Sequence, residues 1–311
     1  RPNLVFRIPG KTSRRLWIVS HMDVVPEGDR GLWDTDPFKA VVRGRRIYGR
    51  GSNDNCQELV SSVYAAAALK ELDLTPEFEV CLCFVADEEV GSVHGIRHLI
   101  KEGLFGPDDL VIVPDGGNEK GDFIEIAEKS ICWIEFTVEG KQAHGGYPHY
   151  GVDTILAASS IVTALQSLGS RELAPTDCAF VTFGRIEGGI SNSYIGGPVH
   201  LEGCIRYLRK TTQELFHRRV REIAESVGKG LRANVSVEIT PEMIPTSVDK
   251  KWVNRIRKVC EKIDSVERVV DLPSPAMGGE DYAYFLEKVP GVLFRLGVRT
   301  KGGPHCPTHS I

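Results

Sequence analysis

Leu16-Trp17-Ile18-Val19-Ser20 is a short apolar run that passes directly into His21-Met22-Asp23. The run reads as a buried strand, and its ending exchanges apolar side chains for groups that ligate metals or move protons. The same punctuation recurs twice: Glu79 to Val85 leads into Asp87-Glu88-Glu89, and Leu110 to Val113 leads into Pro114-Asp115-Gly116-Gly117. Helical patterns separate the runs. The segment up to Asp115 therefore reads as strand-helix-strand units around a mainly parallel sheet, an α/β fold. In open sheets of this kind ligands sit beyond the carboxyl ends of the strands, so the three polar endings are expected to converge on one pocket.

Outward from that core, Gly49-Arg50-Gly51-Ser52-Asn53-Asp54-Asn55 is a glycine-rich turn that places Asp54 at the start of a helical stretch, Glu58 to Leu72. From about Ser130 the texture changes. An alternating strand, Trp133 to Val138, is followed by a helix over Asp153 to Leu168, two further strands and a helix near Gln213 to Val227. This order suggests an α+β insertion. The end of the chain returns to the first texture, with a helix near Val253 to Ile263, the loop Met277-Gly278-Gly279-Glu280-Asp281, a strand Val292 to Gly297, and His305. The expected organisation is a catalytic domain made of residues 1–128 and 241–311, interrupted by a lid or dimerisation domain at 129–240.

The 311 residues suffice for two domains. With 41% apolar residues, 26% charged residues and a net charge of -4, there is no basic field for nucleic acid or an anionic membrane surface. No window reaches the roughly 18 apolar residues of a membrane span, and no signal-peptide pattern opens the chain, so the cytoplasm is the expected compartment. The eight cysteines form no C-x-x-C pair; several, such as Cys81, Cys83, Cys132 and Cys204, sit in apolar runs, and most are read as reduced core residues. The chain starts at Arg1 without an initiator Met and stops shortly after His305, so both ends of the natural domain are expected to be missing.

An isolated Asp or His in a loop is ordinarily a cap, a turn former or a solvated residue. Together, His21, Asp54, Glu89, Asp115 and His305 supply the mixture of imidazole and carboxylate that suits zinc. Five ligands exceed one tetrahedral ion but suit two if one carboxylate bridges. With Asp54 as the bridge, one metal would take His21 and Asp115, the other Glu89 and His305, and a water shared between them would be the nucleophile. Asp23, two residues after His21, could accept that ligand's remaining N–H, or could be a plain turn residue. Glu88 is left free to act as general base, although two neighbouring carboxylates at a strand end could exchange roles.

The segments SHMDVVP (20–26), GRGSNDN (49–55), ADEEVGS (86–92), VPDGG (113–117) and GGEDYAYFLEKVPG (278–291) resemble, in order and spacing, the superfamily of acetylornithine deacetylase, succinyl-diaminopimelate desuccinylase, aminoacylase and carboxypeptidase G. The resemblance covers nearly the whole chain. It implies two Zn2+ per chain, with Co2+ or Mn2+ as substitutes, a cis peptide after Asp54, and a homodimer formed through the lid. It also implies that His144, in Gly140-Lys141-Gln142-Ala143-His144, stabilises an oxyanion. Asn192 and Arg206 are similar to lid residues that hold the substrate carboxylate, although the spacing between them is one residue longer than the family usual. Gly278 and Gly279 would offer backbone donors or form a simple turn.

Three departures from the pattern stand out. Cys56 follows the bridging region where a small Gly is common, His309 stands where many relatives carry Glu, and the helix and strand that normally precede Arg1 are missing. The function implied is hydrolysis of an amide bond in a small N-acyl amino acid. A dipeptidase or carboxypeptidase of the same superfamily, and a non-catalytic dimeric binding module, are the alternatives. Retention of the five ligand candidates and Glu88 argues against the last.

Overall fold

A computed structural model describes residues 2–116, 123–124, 127–128, 130–240, 244, 246–248, 250–264, 266, 269–271, 280–286 and 288–296. Gly278, Gly279, His305 and His309 lie outside the described residues. The chain divides into two compact units, one formed by residues 2–127 with the described residues from 246 onward, the other by residues 128–245.

The first unit is built on a seven-stranded sheet. Its strands in chain order are β1 (Leu4–Ile8), β2 (Thr12–His21), β3 (Phe78–Val85), β4 (Leu110–Gly116), β5 (Phe123–Ile124), β6 (Val270–Asp271) and β7 (Gly291–Leu296). The spatial order is β1-β3-β2-β4-β7-β5-β6. The four central strands β3, β2, β4 and β7 run parallel to one another, and β1 is antiparallel to β3.

Alternate residues of β3 enter two different cores, which explains why the strand is apolar throughout. Cys81, Cys83 and Val85 pack with Trp17, Val19, Val111 and Phe285, whereas Val80, Leu82 and Phe84 face Leu59, Ala66 and Leu69 of helix α1 (Cys56–Glu71). The first of these cores also takes in α2 (Ile96–Lys101) through Ile96 and α3 (Tyr282–Leu286) through Tyr282 and Phe285.

Two expectations need correction. β4 does not stop at Val113; pairing with β7 continues through Phe294↔Pro114 and Arg295↔Asp115 to Leu296↔Gly116, so Asp115 lies within the strand. The cysteines are free, but only Cys81, Cys83 and Cys132 are buried among the described ones. Cys204 is half-buried because its strand has one face toward solvent, and Cys56 and Cys178 are exposed.

The second unit has a four-stranded antiparallel sheet in the order Phe180–Gly188, Val199–Arg206, Cys132–Glu139, Asn234–Ile239. Cys132, Ile134, Phe136 and Val138 alternate inward along one strand while Trp133 and Glu135 face out. Two helices, Thr154–Leu165 and Lys210–Gly230, close that core. Asp153 caps the former, its side chain accepting the Leu156 N–H at 3.0 Å. The latter buries Thr212, Phe216, Val220, Ala224 and Gly228 at every fourth position. Gly228 is required there, since a Cβ would lie 2.4 Å from Val235 Cγ2.

Candidate active site

His21 is the last residue of β2 and is buried. Its Nε2 lies 2.9 Å from Asp54 Oδ1, and its Nδ1 lies 2.8 Å from the backbone carbonyl of Asp23. A ring held by a carbonyl at one nitrogen presents the other in a fixed direction, which is how metal-ligating imidazoles are oriented. The Asp23 carboxylate is 3.6 Å from the same ring nitrogen and has other partners. It accepts the backbone N–H groups of Glu88 at 3.1 Å and Glu89 at 3.2 Å, and so ties the end of β2 to the turn after β3.

That turn, Glu88–Val90, is a single 3-10 turn flanked by left-handed residues, Asp87 at φ 73° and Gly91 at φ 97°. Asp tolerates this region better than most side chains. Asp87 also closes the turn: its carbonyl accepts the Ser92 N–H at 2.7 Å and its carboxylate accepts the His94 N–H at 2.7 Å. The two carboxylates that follow part company. Glu89 is half-buried, and its ligand atom joins those of His21 and Asp54 within 4.8 Å of one another. Glu88 is 7% exposed and groups with Glu280 and Asp281 within the same 4.8 Å limit.

Glu88 Oε1 is buried without a hydrogen-bond partner among the described residues. Burial, then the charge of Asp281, raises the Glu88 carboxyl well above the usual range, with His21 opposing. Asp281 is itself pushed up to about 7 by burial, although it accepts a hydrogen bond from Ser92 Oγ at 3.1 Å. Burial would lower the His21 imidazole, but the neighbouring carboxylates of Asp23, Asp54, Glu88 and Asp115 together hold it well above its ordinary value.

Asp54 is joined to Asn55 by a cis peptide bond. Asn55 Nδ2 donates to Asp115 Oδ1 at 2.7 Å and to the Pro114 carbonyl at 3.3 Å. The Gly116 N–H donates to the same Asp115 oxygen at 2.7 Å, and Arg295 takes the other oxygen at 2.5 Å. Glu58, within the first turns of α1, is fully buried; burial and then the charge of Asp115 push its carboxyl up to about 9. Cys56 opens α1, its N–H donating to the Gly51 carbonyl at 3.0 Å, and although the residue is exposed, partial desolvation holds its thiol above the ordinary value, so it is not an activated nucleophile.

His21, Asp23, Asp54, Glu88, Glu89 and Asp115 thus belong to one neighbourhood of the first unit. Sequence reading gave no role to Asn55, Glu58, Glu280, Asp281 or Arg295. Glu280 and Asp281 stood in a quoted loop beside two glycines, but nothing in Arg295 or Glu58 singles them out before the strand register and the helix face are known.

The other three candidates lie in the second unit. His144 is exposed, sits opposite Tyr194 in a two-residue bridge, and accepts the Gly146 N–H at its Nδ1 at 3.0 Å. Its ring lies 5.8 Å from that of Tyr147 and 6.0 Å from that of Tyr194. Asn192 is exposed and accepts from Ser193 Oγ at 3.1 Å. Arg206 ends its strand opposite Phe180 and is half-buried.

A mainly parallel sheet with imidazole and carboxylates gathered at its carboxyl edge, in a chain that also holds a separate antiparallel unit, is the mixed α/β architecture of metallopeptidases. The chain belongs to peptidase family M20/M25/M40, whose family model matches residues 17–311. It is 43% identical over 168 residues to an uncharacterized metallohydrolase of Methanocaldococcus jannaschii, covering 53% of this chain and 41% of that protein. It is 37% identical over 177 residues to an N-acetyldiaminopimelate deacetylase of Streptococcus suis, covering 57% of this chain and 47% of that protein. The matches thus span about half the length of these curated relatives. Among solved structures, a dinuclear metal-binding peptidase of the M20 family from Bacillus subtilis has the same fold, with a TM-score of 0.72 and 19% identity over 98% of this chain and 78% of the other.

Proposed function

We propose that this chain is the catalytic body of a metal-dependent hydrolase that cuts the amide bond of a small N-acyl amino acid. The observation that carries the reading is the division of labour at the sheet edge. His21, Asp54 and Glu89 offer ligand atoms within 4.8 Å of one another, beside a buried Glu88 whose Oε1 has no hydrogen-bond partner among the described residues. A donor set of one imidazole and several carboxylates fits a pair of divalent ions, zinc first, with cobalt or manganese as substitutes. His21, Asp54, Glu89 and Asp115 would hold the pair, together with His305, which lies outside the described residues. When bound, such ions would polarise the substrate carbonyl and make a water acidic enough to attack it.

The remaining work falls to the protein's own groups. Glu88 takes the attacking water's proton at its free Oε1 and returns it to the leaving nitrogen; a carboxyl raised by burial is suited to both halves of that exchange. Asp23 holds the turn that aims Glu88 and Glu89. His144 donates to the developing oxyanion, and Arg206 with Asn192 receives the substrate carboxylate, the planar fork of Arg matching its geometry. Gly278 and Gly279, which lie outside the described residues, would contribute backbone donors. The working form is a cytoplasmic homodimer assembled through the second unit; no helix among the described residues is long and apolar enough to cross a membrane.

The deacetylase relatives favour an N-acyl amino acid over a dipeptide. A panel of N-acetyl and N-succinyl amino acids and dipeptides, assayed with zinc, cobalt and manganese alongside metal analysis, tests the reading. Two ions per chain and turnover of an acyl amino acid are expected. Turnover of dipeptides alone would make the chain a peptidase, and a folded protein with no bound metal and no turnover would leave only a binding module.

A further inference from the structure

The strands that lead into His21 and into the Glu88–Glu89 turn end side by side. The Met22 N–H donates to the Val85 carbonyl at 2.8 Å, one residue beyond His21, and the Asp23 carboxylate then accepts the N–H groups of Glu88 and Glu89. Between the two segments so tied lies a recess of about 400 Å³. Met22, Val24, Val25 and Pro26 line it from the segment after β2, and Ala86 and Val90 from the turn after β3. Asp23, Asp87 and Glu89 are its polar members, and among the described residues that line it none is basic. Mainly apolar walls with a few polar groups are the usual form of a small-molecule site. Packing sets these walls. Met22 packs against the core of Val80, Leu82 and Phe84, and Val24 lies so close to the turn carrying Asp54 that a Cβ on Gly51 would come within 2.9 Å of Val24 Cγ1. Val90, next to Glu89, is 64% exposed and thus available to a ligand.

We propose that this recess receives the hydrocarbon part of the acyl group, so that the chain prefers hexanoyl- or benzoyl-sized acyl groups over acetyl and succinyl. The inference rests on the metal-dependent hydrolase reading. Glu89, whose ligand atom groups with those of His21 and Asp54, also lines the recess, which sets it beside the place where the scissile carbonyl would be polarised. Within that reading the amino-acid half of the substrate carries the carboxylate and goes to Arg206 and Asn192 of the second unit. The acyl half is left for the first. An acetyl methyl fills little of a recess of about 400 Å³, whereas each further methylene moved from water onto apolar walls is worth about fourfold in affinity. A succinyl carboxylate would exchange its hydration for those walls and for acidic neighbours, with no basic lining residue to offset the cost. Met22 supplies a flexible, polarisable surface that adapts to branched or ring-shaped groups. Met22, Val25 and Val90 therefore set specificity and take no part in the bond cleavage.

Hydroxamates test this without knowledge of the amino acid, because they carry the acyl group alone and bind through the metal. Titration calorimetry on the zinc-loaded chain would compare acetohydroxamate, hexanohydroxamate, benzohydroxamate and the monohydroxamate of succinic acid. The same series would be run on the double variant Val25→Thr, Val90→Thr, in which Thr keeps the branched shape and adds a hydroxyl to each wall. Circular dichroism and Tm establish folding, and Val90→Thr alone, at an exposed position, takes its place should the double variant not fold. The hexanoyl and benzoyl compounds are expected to bind at least ~10-fold more tightly than acetohydroxamate, and the succinyl compound no more tightly than acetohydroxamate. The double variant is expected to cut the hexanoyl-to-acetyl ratio by at least ~3-fold, and Val90→Thr alone by about twofold. Equal binding of the acetyl and hexanoyl compounds, a succinyl compound that binds more tightly than the hexanoyl one, or an undiminished ratio in a folded variant would overturn the acyl assignment and leave the hydrolase reading standing. A chain that takes up no zinc, or a zinc-loaded chain that binds no hydroxamate, would overturn that reading and the inference with it.

Discussion

The two units spend their buried polar groups differently. Among the described residues of the second unit the fully buried polar side chains are Ser130, Thr154 and Thr212, all neutral, whereas the first unit buries His21, Glu58, Asp87, Glu88, Asp109, Asp115, Glu280 and Asp281. An uncompensated buried charge costs far more than a hydroxyl, so the first unit gives up stability where its strands end. The second unit is an apolar core with alternating strands and four-residue helix spacing. Buried ionisable groups concentrate in the first unit, and the second is free to be regular.

The largest effect expected from that contrast is on the regular side. Phe136 is buried at the centre of the second core and contacts Phe183 with ring centroids 5.5 Å apart. Phe136→Ala should cost about 3–5 kcal/mol in urea unfolding, with the metal content of the folded fraction unchanged. Loss of metal without loss of stability would show that the units do not divide the work in this way.

On the other side, Glu88→Gln should lower kcat by at least ~10²-fold while both ions are retained, because an amide can bind the water but cannot take its proton. Glu89→Gln should instead loosen one ion. Reversed phenotypes, read by metal analysis and steady-state kinetics, would exchange the two assignments. Arg206→Ala should raise KM about tenfold for carboxylate-bearing substrates with a smaller change in kcat, since its contact serves ground and transition states alike; a flat KM would remove Arg206 from the substrate site.

The smallest effect concerns Glu58, whose carboxyl is raised from 4.5 to about 9 by burial and then by Asp115. A group whose folded value is raised keeps its proton in the folded chain while the unfolded chain releases it. Stability is then fullest below about pH 4.5 and declines as the pH rises toward 9. Glu58→Gln should flatten this decline and raise Tm by about 2–4 °C near pH 8, measured by thermal unfolding across pH 5–9. A variant whose Tm falls at every pH would mean that the carboxylate is stabilising as an anion.

Much of the first unit was readable because fully buried parallel strands are apolar on both faces, which made Leu16 to Ser20 and Glu79 to Val85 conspicuous, and because each ended in chemistry. The second unit was readable from the alternation along Trp133 to Val138. The extent of β4 was not, since Pro114 and Asp115 look like a turn; only pairing with β7, more than 170 residues away in the chain, holds them extended. Arg295 was hidden for the same reason, because register across strands is not written in either strand alone. The roles of Glu88 and Glu89 were assigned by elimination, while their different surroundings follow from the left-handed Asp87 and from Asp23 accepting both N–H groups, which depend on backbone conformation.

The last described strand, β7, does not sit at the rim but is inserted between β4 and β5. During synthesis the contiguous segment 128–245 emerges complete and can form its core, whereas the earlier strands must wait for residues 291–296 before β4 has a second neighbour. Until then β4 presents an open apolar edge, a template for pairing with another nascent chain. The sheet is thus closed by the segment that carries Arg295, which makes premature termination a hazard for aggregation as much as for catalysis.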